Sequence, residues 1–201
     1  MKLYYSPGAC SMSPHIALRE AGLSFDLAKV DLKAKTVEGG ENFNDVNPKG
    51  YVPALRLDDG SVLTEGPAIV QYIADARPDS GLAPANGTPA RYKLQEWLNF
   101  VSTEMHKPMG SMFNPAQTRE WKEAVQANLT RRLDWLEGEL STRSYLTGET
   151  FSVADGYLFT VLGWAPHLKF DLSGWKSVGA YTGRIAQRPA VQATLKAEGL
   201  A

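Results

Sequence analysis

Apolar positions in the first part of the chain recur with two alternating spacings. Runs with a period of two are typical of strands, and stripes at three- and four-residue intervals are typical of helices. The predicted elements are strands at 3–5, 25–30, 54–57 and 61–63 and helices at 14–21 and 66–74. The turn Asp58-Asp59-Gly60 joins the last two strands as a hairpin. This order predicts a small mixed sheet flanked by helices, which is a thioredoxin-like α/β arrangement.

The pattern changes after residue 77. Residues 78–88 are rich in proline and glycine and have little hydrophobic periodicity, as a linker does. Beyond them every apolar stripe has helical spacing, and the predicted helices are 90–112, 120–140, one opening at Ser152, 175–186 and one from Pro189. We therefore predict a thioredoxin-like domain at 1–77, a linker at 78–88 and an all-α helical domain at 89–201.

Local signals set several element boundaries. Thr88 precedes a proline and is expected to cap a helix, and Ser152 with Asp155 forms a capping box. Gly22 is placed to end the first helix, which Ser11 or Ser13 could cap. The polar segment 31–47 has weak periodicity and is expected to be a mobile loop with one short helix.

Composition narrows the functional classes. The chain has 201 residues, a net charge of −1 with both signs scattered, 43% hydrophobic residues and a single cysteine. The charge balance gives no indication of a nucleic-acid or membrane partner, and one cysteine excludes an internal disulfide and a zinc-finger spacing. The first residues lack the apolar run of a signal peptide, and no stretch has the length of a membrane span. We expect a soluble, cytoplasmic protein.

The single cysteine has a distinctive setting. Cys10 follows a strand and the Pro7-Gly8 turn and comes directly before a helix. Unpaired N–H groups and the helix dipole favour a thiolate at such a position. A buried cysteine that serves only as a small apolar side chain is the alternative, but the strand–turn–Cys–helix order favours chemistry.

Other polar positions are candidates for ligand contacts. Val52 precedes Pro53, and a cis bond there would direct the Val52 backbone towards a ligand, although a rigid turn is equally compatible. The helix start at Glu65 and Gly66 could hold an ammonium and a carboxylate, whereas capping is the ordinary role of such a glutamate. In the helical part, the i, i+4, i+7 spacing places three polar residues on one face, which can also be simply the solvated face: Asn99, Thr103 and His106.

With these motifs in order, the whole chain resembles a glutathione S-transferase of the bacterial beta class, the cysteine type. The matching segments are Tyr5-Ser6-Pro7-Gly8-Ala9-Cys10-Ser11, Asn47-Pro48-Lys49-Gly50, Val52-Pro53-Ala54-Leu55, Leu63-Thr64-Glu65-Gly66, Glu96-Trp97-Leu98-Asn99-Phe100, Glu104-Met105-His106-Lys107, Ser152-Val153-Ala154-Asp155 and Arg188-Pro189-Ala190-Val191. Each is short, but their order and spacing are specific.

The resemblance implies a glutathione site. Cys10 would lie beside the glutathione sulfur, with His106 close to both, and Val52 would pair with the cysteinyl backbone. Glu65 and Gly66 would hold the γ-glutamyl end, and Lys35 would meet the glycyl carboxylate. The helical domain would complete the site with Asn99, Thr103 and Lys107, and Asn99 is expected to reach the glutathione of the partner subunit of a homodimer. Many family members have serine where this chain has Gly66, so one hydrogen bond worth roughly 1 kcal/mol is absent.

Three functions remain open from the sequence. The first is conjugation of the glutathione thiolate to a small hydrophobic electrophile, including displacement of a halide, with glutathione as cosubstrate and no metal; such an enzyme would serve xenobiotic detoxification or a catabolic step. Met112, Phe113 and Trp164 could line the second-substrate site, although a place in the core is the more ordinary role for each of them. The second is disulfide exchange through a Cys10–glutathione mixed disulfide, or peroxide reduction. The third is a non-catalytic protein that binds apolar ligands.

Overall fold

A computed structural model describes all 201 residues and divides them into two compact units. The first unit comprises Met1–Ala83 together with Arg188–Ala201, and the second comprises Pro84–Gln187. The strands are β1 Lys2–Tyr5, β2 Asp26–Asp31, β3 Thr36–Val37, β4 Ala54–Arg56 and β5 Val62–Thr64. The helices of the first unit are α1 Met12–Glu20, α2 Phe43–Val46, α3 Gly66–Ala76 and, at the end of the chain, α9 Pro189–Glu198.

The first unit is built on one five-stranded sheet with the order β3-β2-β1-β4-β5. The pairing of β1 with β2 is parallel, and the other three pairings are antiparallel. Alternation along β1 buries Tyr4 with Phe43 and Val30 in one apolar cluster, whereas its neighbour Leu3 is paired with Leu55 of β4. A sheet whose central strand is buried in this way matches the predicted thioredoxin-like fold.

The segment between β2 and β4 is more ordered than the sequence indicates. It contains the predicted short helix, α2, but also the strand β3, which pairs with β2 through Val30 and Val37. The signal for β3 is weak because the strand has only two residues and one of them is exposed. The expectation of a loop with one helix therefore missed an edge strand.

The last helix lies in the first unit, whereas the predicted helical domain of 89–201 included it. α9 packs against α1. Arg188 forms a two-pronged ion pair with Glu20, at 2.6 and 2.8 Å. Glu198 makes a buried contact with His15, at 2.8 Å. These contacts join positions that are more than 160 residues apart in the chain, so no local pattern could have indicated them.

The second unit is helical, as predicted. Its helices are α4 Pro89–Phe100, α5 Lys107–Ser111, α6 Arg119–Leu140, α7 Val153–Leu162 and α8 Lys176–Ala186. The helix predicted at 120–140 is present as α6, and it buries one stripe of leucines, Leu129, Leu133, Leu136 and Leu140. The capping box at the start of α7 is also present, because the Asp155 carboxylate accepts the backbone N–H of Ser152 at 2.8 Å.

One predicted helix is interrupted. In place of a continuous helix at 90–112, a π-helical segment, Val101–His106, separates α4 from α5. Pro108 lies in the first turn of α5 and has no N–H to donate. A π-helical turn changes the register of the backbone hydrogen bonds just before this proline, and such turns are frequent at functional sites. None of the helices combines the length and the apolar content needed to cross a membrane.

The start of α1 also differs from expectation. Ser11 occupies the N-cap position, but its side chain caps no helical N–H. Instead its hydroxyl accepts the Ser6 N–H at 3.1 Å and lies 3.2 Å from the Ser6 carbonyl oxygen. The hydroxyl of Ser13, the other proposed cap, is buried without a hydrogen-bond partner. Ser11 therefore ties together the loop that carries Cys10.

Candidate functional site

Cys10 lies in the turn between β1 and α1 and is half-buried. Its thiol donates a hydrogen bond to the Val52 carbonyl oxygen at 3.2 Å. The turn is held by backbone bonds from Ala9 to Ser6 and from Met12 to Ala9, each 3.0 Å long. The only sulfhydryl of the protein is therefore held at the start of a helix, where N–H donors favour thiolate.

Val52 is the residue that connects Cys10 with the second half of the sheet. It is 3% exposed, and the Val52–Pro53 peptide bond is cis. Ala54 starts β4 two residues later. The structure thus brings Cys10 and Val52 into contact, and both are residues that the resemblance places beside glutathione.

Lys35 is partly buried and has a left-handed backbone, with φ of 58°. Its ammonium donates to the Gly50 carbonyl oxygen at 2.6 Å. Because Gly50 lies two residues before Val52, this contact fixes Lys35 near the same loop. A cation held in this way is suited to a carboxylate ligand.

Glu65 and Gly66 mark the start of α3. Glu65 is the N-cap residue and has φ of 70°, but its side chain caps no helical N–H, so the capping role considered from the sequence is not observed. Its carboxylate instead accepts hydrogen bonds from the Lys49 ammonium at 2.6 Å and the Tyr51 hydroxyl at 2.8 Å. These bonds raise the pKa of Lys49 and the pKa of Tyr51. A non-glycine residue in this region of φ is uncommon and occurs often in binding sites.

All of these contacts lead to the loop 47–52. It meets Lys35 through Gly50, Glu65 through Lys49 and Tyr51, and Cys10 through Val52. From the sequence, Asn47-Pro48-Lys49-Gly50 is recognisable as a family motif, but no contact of its side chains is predicted. The closeness of Lys49 to Glu65 has no local sequence signal, because the two residues are 16 positions apart.

The candidate residues of the second unit lie around the π-helical segment. Thr103 and Asn99 are exposed, and the Thr103 hydroxyl donates to the Asn99 carbonyl oxygen at 3.0 Å. His106 ends the segment, with its Nδ1 2.5 Å from the Tyr157 hydroxyl. Lys107 is exposed and opens α5. Tyr157 was not among the residues singled out from the sequence, so its polar contact with His106 was missed.

An aromatic cluster surrounds His106. Its ring makes edge contacts with Tyr157 and Trp164, at centroid distances of 5.6 and 5.0 Å. Phe113 is 50% exposed and meets Trp164 at 5.9 Å, whereas Met112 is only 6% exposed. Of the three proposed second-substrate residues, Phe113 is therefore the one available to an apolar ligand on this unit. No group of three or more His, Cys, Asp or Glu side chains is arranged to hold a metal ion.

Comparison with known proteins identifies the class that this fold and thiol site define. The sequence profile of the glutathione S-transferase N-terminal domain matches residues 8–76, and that of the C-terminal domain matches residues 100–189. The chain therefore belongs to the glutathione S-transferase family, and its bacterial relatives place it in the beta class.

Three relatives match over the full length of both chains. Glutathione S-transferase GstA of Escherichia coli O157:H7 is 49% identical. The bacterial glutathione transferase BphK, solved as a ternary complex, is 58% identical with a TM-score of 0.98. A sphingomonad glutathione S-transferase, solved with glutathione, is 52% identical with a TM-score of 0.96. The protein is an enzyme of this transferase class.

Proposed function

We propose that the enzyme conjugates the glutathione thiolate to small hydrophobic electrophiles, including carbon atoms that carry a displaceable halide. The observation that carries this proposal is the arrangement of the first unit. A half-buried thiol, a lysine ammonium and an exposed carboxylate all contact the loop 47–52. These are the groups needed for a tripeptide that has one thiol, two carboxylates and one ammonium.

The proposed contacts follow the charges of the ligand. Glu65 binds the γ-glutamyl ammonium, and the Gly66 N–H, at the start of a helix, binds the adjacent carboxylate. Lys35 binds the glycyl carboxylate, and the Val52 backbone pairs with the cysteinyl unit. Cys10 lies beside the glutathione sulfur. Lys49 and Tyr51 donate to the carboxylate of Glu65, and the γ-glutamyl ammonium is proposed to bind the same carboxylate.

We also propose that the helical unit contributes polar contacts to glutathione. The residues are Asn99, Thr103, His106 and Lys107. Asn99 reaches the glutathione of a partner subunit, which requires a homodimer. Sedimentation velocity tests the dimer. In a stable dimer, Asn99→Ala weakens glutathione binding without dissociating the subunits, and an unchanged affinity would remove Asn99 from the site.

In the proposed reaction the glutathione thiolate attacks the electrophilic carbon. A carbon–sulfur bond forms, and with an aryl halide the carbon–halogen bond breaks and halide leaves. The protein supplies orientation and a field that favours thiolate over thiol. Phe113, which packs against Trp164, offers apolar contact for the second substrate.

The half-buried state of Cys10 supports a second candidate function, disulfide exchange. The Cys10 thiolate attacks a glutathione mixed disulfide, forms a Cys10–glutathione disulfide and releases the other thiol. A glutathione thiolate then attacks this disulfide, yields oxidised glutathione and restores Cys10. No second cysteine is present to close an internal disulfide.

Turnover of a panel of aryl halides, epoxides, peroxides and glutathione mixed disulfides tests both functions. Cys10→Ala separates them, because conjugation survives in part when the cysteine only tunes the site, whereas exchange through Cys10 disappears. Glu123→Gln, in an exposed ion pair of α6, is a matched control and should leave every activity unchanged. A wild-type protein that binds glutathione but turns over no member of the panel would contradict the proposal.

A further inference from the structure

One buried side chain, that of Asn47, bridges the loop 47–52. Asn47 is 1% exposed, although asparagine is mostly found on protein surfaces. Its amide Nδ2 donates to the Tyr51 carbonyl oxygen at 2.7 Å, and its Oδ1 accepts the Lys49 N–H at 3.2 Å. The side chain therefore bridges both sides of the turn.

The backbone of Asn47 adds two further bonds. Its N–H donates to the Phe43 carbonyl oxygen of α2 at 2.9 Å, and its carbonyl accepts the Gly50 N–H at 2.8 Å. Gly50 has φ of 69°, and a Cβ added there would lie 3.2 Å from the Asn44 side-chain oxygen. The turn is thus closed on a glycine that no other residue could replace without strain.

Four residues of this turn meet candidate ligand-binding groups. Lys49 and Tyr51 contact Glu65, Gly50 contacts Lys35, and Val52 contacts Cys10. A shift of the turn would move the partners of all three groups together. A displacement of about 1 Å is enough to weaken a site of this kind strongly.

We propose that Asn47 is a positioning residue for glutathione binding, a role that rests on the proposed function of the site. It acts through the turn and does not touch the ligand. The Asn47 amide supplies a donor for the Tyr51 carbonyl oxygen and an acceptor for the Lys49 backbone N–H. No apolar side chain can supply either one. Through Lys49 and Tyr51 the turn orients the Glu65 carboxylate, which is the proposed partner of the glutathione ammonium.

The first experiment compares Asn47→Ala with Asn42→Ala. Asn42 is a matched control because its side chain caps the neighbouring helix α2, but it makes no bond to the turn. We expect Asn47→Ala to raise the KM for glutathione and the Kd for S-methylglutathione about tenfold, because two hydrogen bonds are lost. The KM for the aryl halide should stay within about twofold, since Asn47 acts only on glutathione contacts. Asn42→Ala should lower Tm without changing either glutathione constant.

If Asn47→Ala raised the KM for glutathione and the KM for the aryl halide equally, the role of Asn47 would be structural only. The same would follow if its KM for glutathione and its Kd for S-methylglutathione equalled those of Asn42→Ala. If the wild type itself does not bind S-methylglutathione, the proposed function of the site fails. The positioning role is then tested through Cys10 alone, by its rate of alkylation with iodoacetamide. Asn47→Ala should increase that rate at least about threefold, because the Val52 carbonyl no longer holds the thiol proton. An unchanged rate would contradict the proposal.

A conservative variant adds a signature that a purely structural role does not give. Asn47→Asp keeps an acceptor for the Lys49 N–H but turns a carboxylate oxygen towards the Tyr51 carbonyl, where a donor is needed. Burial raises the pKa of such a carboxyl, so lowering the pH between about 7 and 5 converts it into a donor. S-methylglutathione binding by Asn47→Asp should therefore recover as the pH falls, relative to the wild type. Parallel pH profiles of the two proteins would refute the assignment.

Discussion

A buried chain of polar groups fastens the last helix to the loop that carries Cys10. Glu198 lies in α9, and its side chain is fully buried, as is that of His15 in α1. One carboxylate oxygen of Glu198 is 2.8 Å from the Nδ1 of His15, and the other accepts the Gly8 N–H at 2.9 Å. Gly8 is two residues before Cys10, so removing the carboxylate should affect both stability and the thiol. The perturbation that we consider is Glu198→Gln.

The donors around His15 decide what the glutamine would meet. The Arg19 guanidinium donates to the Nε2 of His15 at 3.0 Å, so Nε2 must be an acceptor. The proton of the neutral ring then lies on Nδ1 and is donated to Glu198. Both oxygens of the carboxylate thus accept from N–H groups. A glutamine amide can satisfy one of these donors, but its NH₂ would face the other.

The cost follows from that mismatch. Leaving a buried donor without an acceptor costs about 1–3 kcal/mol. For a protein of this size, each kcal/mol lowers Tm by about 2–4 °C. We therefore expect Glu198→Gln to lower Tm by about 2–12 °C. Glu123→Gln, which breaks an exposed ion pair, should change the free energy of unfolding by less than about 0.5 kcal/mol.

The assay must observe the two units separately. All five tryptophans lie in the second unit, at 97, 121, 135, 164 and 175, so their fluorescence reports that unit. Accessibility of Cys10 to a thiol reagent reports the first unit. Urea titrations followed by both probes give the unfolding midpoint of each. We expect the Cys10 transition of Glu198→Gln to move to lower urea at least as far as the fluorescence transition, because the lost contact lies in the first unit.

A Glu198→Gln protein as stable as Glu123→Gln would refute the reasoning, since it would mean that the buried carboxylate is not needed as a double acceptor. A fluorescence midpoint that falls while the Cys10 midpoint stays fixed would refute it equally, because the effect would then originate in the other unit.

Three further predictions concern single side chains. Partial burial acts to raise the pKa of Glu137, but hydrogen bonds from Ser177 and its neighbours at the start of α8 outweigh it and lower the pKa below the usual value for a glutamate. The stability that this carboxylate contributes is therefore present above the unfolded pKa and is lost as the pH falls through the folded pKa. Glu137→Gln should flatten the acid limb of a Tm–pH curve. Tyr157→Phe removes the hydroxyl that contacts Nδ1 of His106. Because the His106 ring would lose a group that orients it, kcat should fall about tenfold at an almost unchanged Tm. An unchanged kcat would exclude a role for this contact. Gly22 has φ of 63° where α1 ends, so Gly22→Ala should cost about 1–2 kcal/mol in urea unfolding, and a neutral result would contradict the left-handed assignment.

Features that depend on neighbouring residues could be predicted from the sequence. Helix stripes, the Ser152–Asp155 capping box and the hairpin at Asp58–Gly60 are local patterns, and the structure contains them. The order of these elements was enough to predict a thioredoxin-like unit and a helical unit. The family was also recognisable, because several short motifs occur in the right order along the chain.

Features that depend on distant contacts could not be predicted. The last helix has an ordinary amphipathic pattern, and nothing in it indicates that Glu198 meets His15, which lies 183 positions earlier in the chain. The π-helical segment preserves helical spacing well enough to read as one long helix. The serine at the N-cap of α1 has the right residue type for capping, but the Ser6 backbone competes successfully for its hydroxyl.

The candidate site shows the same division within a few residues. The sequence supplies the chemically relevant groups, because a thiol, a lysine and a glutamate at helix starts and loops are recognisable by type. It does not supply the scaffold that orients them, because the bonds from Lys35 to Gly50 and from Lys49 to Glu65 each span 15 residues or more. The buried Asn47 holds that scaffold, so a polar residue inside a proline- and glycine-rich motif should be considered for the backbone that it fixes as well as for the ligand it could touch.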